Sequence, residues 1–63
     1  EDRALKFDER TEMQERLTRK GYDTQGVDGK IGPKTIDAVR AFQRASGIAP
    51  DGYASLTLLK KLR

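Results

Sequence analysis

Val27-Asp28-Gly29-Lys30-Ile31-Gly32-Pro33-Lys34-Thr35-Ile36-Asp37-Ala38-Val39-Arg40-Ala41-Phe42-Gln43 is the stretch that decides the fold. Its first half is a glycine-bearing loop, and Gly32-Pro33 marks where a helix begins. Proline at the first helical position leaves no N–H unpaired, and its fixed φ already suits a helix. Thr35, Ala38, Val39 and Phe42 follow at i, i+3, i+4 and i+7, which makes one face apolar. Arg40 and Arg44 fall on other faces, and Gly47 supplies a left-handed stop after Ser46. The spacing predicts a central core helix from Pro33 to Ser46.

Before this stretch, Met13 and Leu17 give a first helix a narrow apolar face, expected over Glu9 to Lys20. Asp8 suits its N-cap and Glu9 and Glu12 its first turn, where the helix dipole favours acids. Leu5 and Phe7 are expected to pack over its start as a hydrophobic staple, and Gly21 to end it. The connector from Tyr22 to Ile31 is expected to be pinned to the core by Tyr22, Val27 and Ile31. After Gly47, a second anchored turn, Ile48-Ala49-Pro50-Asp51-Gly52-Tyr53, leads to Ser55 as the cap of a last helix, Leu56 to Leu62. Leu58, Leu59 and Leu62 face inward there. The predicted core is Met13, Leu17, Tyr22, Val27, Ile31, Val39, Phe42, Ile48, Leu58, Leu59 and Leu62.

Leu17…Gly21-Tyr22…Val27-Asp28-Gly29 is echoed by Phe42-Gln43…Gly47-Ile48…Pro50-Asp51-Gly52. Asp suits such turns because it bonds nearby backbone N–H groups, and Gly because it accepts positive φ. The expected architecture is all-α: a compact three-helix bundle whose two Asp-Gly loops form a pseudo-repeat. Residues 1–7 read as a lead-in or linker and 8–63 as the domain.

The chain has 63 residues and a net charge of +3. Residues 1–20 hold six basic and six acidic residues, whereas 21–63 hold seven against four. A modestly basic surface of this kind suits an anionic partner. No apolar run approaches the ~18 residues of a membrane span. Beginning at Glu1 rather than Met, the chain reads as a processed protein or an excised piece. With no His and no Cys, the usual catalytic triads, thiol chemistry and zinc sites are unavailable, and no cofactor is called for. Glu9, Glu12 and Glu15 lie along one helix rather than facing each other across a substrate, so paired-carboxylate sugar chemistry is not indicated.

In order along the chain, Met13-Gln14, Leu17, Gly21-Tyr22, Asp28-Gly29, Gly32 with Thr35, Ala38-Val39, Phe42-Gln43, Gly47 and Asp51-Gly52 resemble the pattern of the peptidoglycan-binding domain family. The ending from Asp51 to Leu62 is similar to the C-terminal module of membrane-bound lytic murein transglycosylase B-like proteins. Ser55 and Leu58 stand there where broader family members carry a glycine and a threonine. The resemblance implies a three-helix, non-catalytic module that holds a parent cell-wall enzyme on murein. Its partner would be the stem peptide or the glycan, its state monomeric and its location the periplasm or cell envelope.

Six residues are the candidate ligand contacts. Lys30 and Lys34 flank the start of the second helix, where uncapped N–H groups and the positive dipole end attract carboxylates. The segment does not match the phosphate-binding Gly-Lys-Ser/Thr loop. Arg40 and Arg44 offer guanidinium groups, Gln43 an amide that instead suits loop anchoring, and Tyr53 an aromatic face. Together they are expected to line a shallow groove. Two rival functions are a module docking its own catalytic domain, favoured by exposed Leu5, Phe7 or Leu56, and a small basic nucleic-acid binder. The connector from Gly21 to Gly32 far exceeds the 3–4-residue turn of helix-turn-helix readers, so no nucleic acid is expected.

Overall fold

The computed structural model describes residues 4–63, so part of the lead-in expected over 1–7 lies outside the described residues. Three helices follow in order: α1 (Phe7–Arg19), α2 (Pro33–Ala45) and α3 (Leu56–Leu62), with no strand among the described residues. The all-α three-helix architecture is the expected one. None of the helices is long and apolar enough to cross a membrane.

One shared core holds them together, with Met13 and Leu17 from α1, Ala38, Val39 and Phe42 from α2, and Leu58, Leu59 and Leu62 from α3. Tyr22 meets Phe42 edge to face, with ring centroids 6.1 Å apart. The backbone of α1 closely approaches both other helices, so α1 rather than the predicted α2 is the central element. The periodicity of α2 identified a buried face but carried no information on how many neighbours that face would have.

Both long helices end in the same way. Tyr22 N–H reaches Leu17 O at 2.9 Å and Gly21 N–H reaches Thr18 O at 3.0 Å, a Schellman closure with Gly21 at φ 96°. Ile48 and Gly47 repeat it on Gln43 O and Arg44 O at 2.8 and 3.2 Å. Ser55 caps α3 as expected, its Oγ accepting the Leu58 N–H at 3.0 Å.

Three expectations need correction. First, α1 begins at Phe7 with Lys6 as N-cap, not at Glu9 with Asp8. Glu9, at the third helical position, reaches back to accept the Lys6 N–H at 2.8 Å, the return half of a capping box. Second, the staple is polar: Leu5 is buried, but Arg10 Nη1 bonds its carbonyl at 2.7 Å, and the Phe7 ring stays 62% exposed beside Arg10. Third, Val27 is 46% exposed and Ile31 and Ile48 are only half-buried, whereas Tyr22, also half-buried, packs against the core as expected. The first loop is held by hydrogen bonds at its backbone, so Val27 is not needed as an anchor.

Candidate functional site

Two glutamines build the loops that carry the candidate contacts. Gln14, 1% exposed, accepts the Gly29 N–H at 2.8 Å and donates through Nε2 to Lys30 O at 2.8 Å and Asp28 Oδ1 at 3.2 Å. Gln43, 4% exposed, accepts the Gly52 N–H at 2.9 Å and donates to Asp51 Oδ1 at 2.8 Å. Each Asp oxygen also accepts the N–H two residues on, Lys30 in one loop and Tyr53 in the other, both at 2.9 Å. The buried amide thus satisfies a backbone donor that would otherwise be orphaned, and orients a carboxylate that shapes the turn.

The turns also depend on their glycines. Gly52 has φ 73°, and a Cβ there would lie 2.9 Å from both Ile36 Cγ2 and Arg40 Nε. Gly29, at φ 77°, lies under the Phe7 ring, which a side chain would strike. Both carboxylates are held below the ordinary aspartate range. The Lys30 N–H and then the Gln14 amide do this for Asp28, and the Tyr53 N–H and then the Gln43 amide for Asp51. Sequence reasoning did not find Arg10, which braces the first loop from the other side through Nε to Gly29 O at 2.6 Å.

Between this first loop and the start of α2 lies an open cleft of about 330 Å³. Lys30 and Lys34 both line it, together with Thr24, Gln25, Asp28, Gly32, Pro33 and Thr35. No side chain caps α2, and Pro33 has no N–H, so the Lys34 and Thr35 amides stand uncapped at the cleft. Gly32 has φ −97°, which any residue adopts, and a Cβ there would meet nothing within 4 Å. Neither conformation nor crowding therefore requires a glycine at this position. Gln25, by contrast, holds φ 63° without being glycine, a strained backbone at the cleft's edge. Two ammonium groups and a helix N-terminus beside one carboxylate make a net cationic recess suited to a carboxylate-bearing ligand.

The other predicted contacts are distributed elsewhere. Gln43 and Tyr53 border a second cleft of about 170 Å³ with Ile48, Asp51 and Lys61. Gln43's amide bonds within the loop through both its oxygen and its nitrogen, while Tyr53 is 57% exposed. Arg40 lies against Gly52 and Ile36's neighbourhood and forms a loose 3.9 Å ion pair with Asp37. Arg44 sits exposed in the last turn of α2 and lines neither cleft. The six residues therefore do not share one groove: Lys30 and Lys34 form one group, Gln43 and Tyr53 another. The Asp-Gly echo pointed to both loops. The contributions of Thr24 and Gln25 had no comparable signal, because nothing in their spacing tells which way a long connector folds.

Comparison with known proteins adds to this geometry. The model of the family described as "Putative peptidoglycan binding domain" matches residues 7–62. The N-acetylmuramoyl-L-alanine amidase CwlL of Bacillus licheniformis is 48% identical over 42 residues, 65% of this chain and 12% of the relative. An uncharacterized protein of Kitasatospora aureofaciens, from the bpoA1 3′ region, is 44% identical over 41 residues, 65% of this chain and 35% of its own length. Two crystal structures of SltB3 from Pseudomonas aeruginosa, with NAG-NAM-pentapeptide and with NAG-anhNAM-pentapeptide, each align at TM-score 0.92 and 42% identity. Each alignment covers 95% of this chain and 16% of that one, so the chain spans only a small part of these larger proteins.

Proposed function

The chain belongs to the peptidoglycan-binding domain family, and from that premise we propose that it is a non-catalytic module holding a parent cell-wall enzyme on murein. The observation that carries the proposal is the cationic cleft at the start of α2, where Lys30 and Lys34 converge with uncapped amides. Stem peptides of murein carry free carboxylates, and such groups complement two ammonium ions and a helix N-terminus. The open glycine at position 32 supports the same idea, since it lets a ligand approach the backbone without displacing a side chain. For the parent we favour a lytic murein transglycosylase, on the likeness of residues 51–62 to the C-terminal modules of transglycosylase B-like proteins. An amidase parent is the alternative, given the relative in Bacillus licheniformis. Such a module acts as a monomer in the periplasm or cell envelope.

A docking role is the second reading, and the exposed Phe7 favours it. The two separate on one titration. Isolated stem peptide is added to the chain, to its Lys30→Glu/Lys34→Glu variant, and to an Arg44→Glu control, with binding followed by calorimetry. Loss of binding in the lysine variant alone supports the cleft. Equal binding by all three, or none by the unaltered chain, sinks it.

A further inference from the structure

Tyr53 is an aromatic residue that the fold does not use. Its side chain is 57% exposed, and among the described residues its hydroxyl makes no hydrogen bond. The aromatic pair of the core is Tyr22 with Phe42. Its mount is nonetheless rigid. The Tyr53 N–H is fixed to Asp51 Oδ1, and the preceding Gly52 N–H to the buried Gln43. Two clefts meet at this ring, one of about 170 Å³ with Ile48, Asp51 and Lys61, the other of about 280 Å³ with Leu5, Ile31 and Ala54.

We infer that Tyr53 is a stacking platform for a hexosamine ring of the glycan strand, with Asp51 and Lys61 meeting the polar groups at the sugar's edge. A pyranose ring presents weakly positive C–H bonds on its faces and hydroxyl groups around its rim. The face of an aromatic ring is electron-rich, so the two stack, and a fixed ring does so at little conformational cost. Asp51 uses one carboxylate oxygen in the turn, and the other, an acceptor only, suits a sugar hydroxyl. Lys61 supplies donors for the acetamido carbonyl, and Ile48 an apolar seat for its methyl group. This glycan subsite lies on the second loop, apart from the lysine cleft on the first, and it deepens the murein-binding function proposed above. A neutral sugar stacked on tyrosine responds little to salt, whereas a carboxylate held by lysines is screened.

The test titrates the 63-residue chain with peptide-free glycan strands, made by amidase digestion of purified sacculi, and follows amide shifts by NMR. The expected perturbations centre on Gly52, Tyr53 and Lys61 and persist at high salt. Tyr53→Ala weakens binding roughly tenfold, as truncation of an aromatic anchor does, while Tyr53→Phe stays within about twofold. Perturbations centred elsewhere overturn the inference even if Tyr53→Ala fails to fold, as does equal loss in the Phe variant. Binding to intact sacculi without binding to peptide-free strands overturns the glycan subsite and leaves the murein-binding function standing. Failure to bind either substrate overturns both.

Discussion

Replacing Gln43 with alanine removes two partners from one turn: the buried Gly52 N–H loses its acceptor and Asp51 loses a donor. A buried donor left unsatisfied costs about 1–3 kcal/mol, and that loss is expected in urea unfolding of Gln43→Ala. Gln43→Glu keeps the shape but sets a carboxylate against Asp51. Its protonated form is the one the fold accepts, so this variant is least stable at neutral pH and regains stability on acidification. A variant whose deficit does not shrink as pH falls contradicts the assigned hydrogen bonds. These glutamines show how far the sequence could be read. Both stand beside core apolar residues, and the loop-anchoring role weighed for Gln43 is the one its bonds display. The corresponding Gln14 was harder to pair with it, because it lies one helical turn farther from its closing glycine than Gln43 does. The longer first connector, residues 21–28 against 47–51, moves the anchor point back along the helix.

At the scale of elements, helix ends were legible wherever a local rule acts alone. Pro33, Gly21, Gly47 and Ser55 mark their termini as expected. The start of α1 was misplaced because no Ser, Thr, Asp or Asn stands at its N-cap; Lys6 holds that position, and Glu9 and Arg10 reach back to residues 6 and 5. The entrance of α2 yields a prediction that separates stability from function. Serine caps a helix better than glycine by a few tenths of a kcal/mol, and position 32 has both room and ordinary backbone angles. Gly32→Ser is therefore expected to raise the melting temperature slightly while weakening stem-peptide binding, since its side chain competes for the uncapped amides. Binding that rises along with stability would show that the cleft is not where the ligand sits.

Across the whole molecule, Glu12 clasps α1 to the end of the chain. Its carboxylate meets Arg63 through two bonds of 2.9 Å and Arg16 at 2.8 Å. These bonds, Arg63's first and Arg16's next, lower its pKa from 4.5 to about 2. A carboxyl whose folded pKa is depressed stabilises the protein fully above its unfolded value, and the contribution fades as pH falls through the folded one. Asp28 and Asp51 are shifted the same way. Stability is thus expected to hold down to about pH 4.5 and to decline toward pH 2, with a shallower decline in Glu12→Gln. An identical acid profile for that variant would count against the clasp.

The central claim is that this fold holds murein, with the charged cleft at the start of α2 supplying the salt-sensitive part of the binding. Its most direct test is co-sedimentation of the chain with purified sacculi across a salt series, with duplex DNA as competitor. The account predicts pelleting that salt weakens, that DNA does not abolish, and that Lys30→Glu/Lys34→Glu greatly reduces. No pelleting at any salt concentration, or complete displacement by DNA, would contradict it.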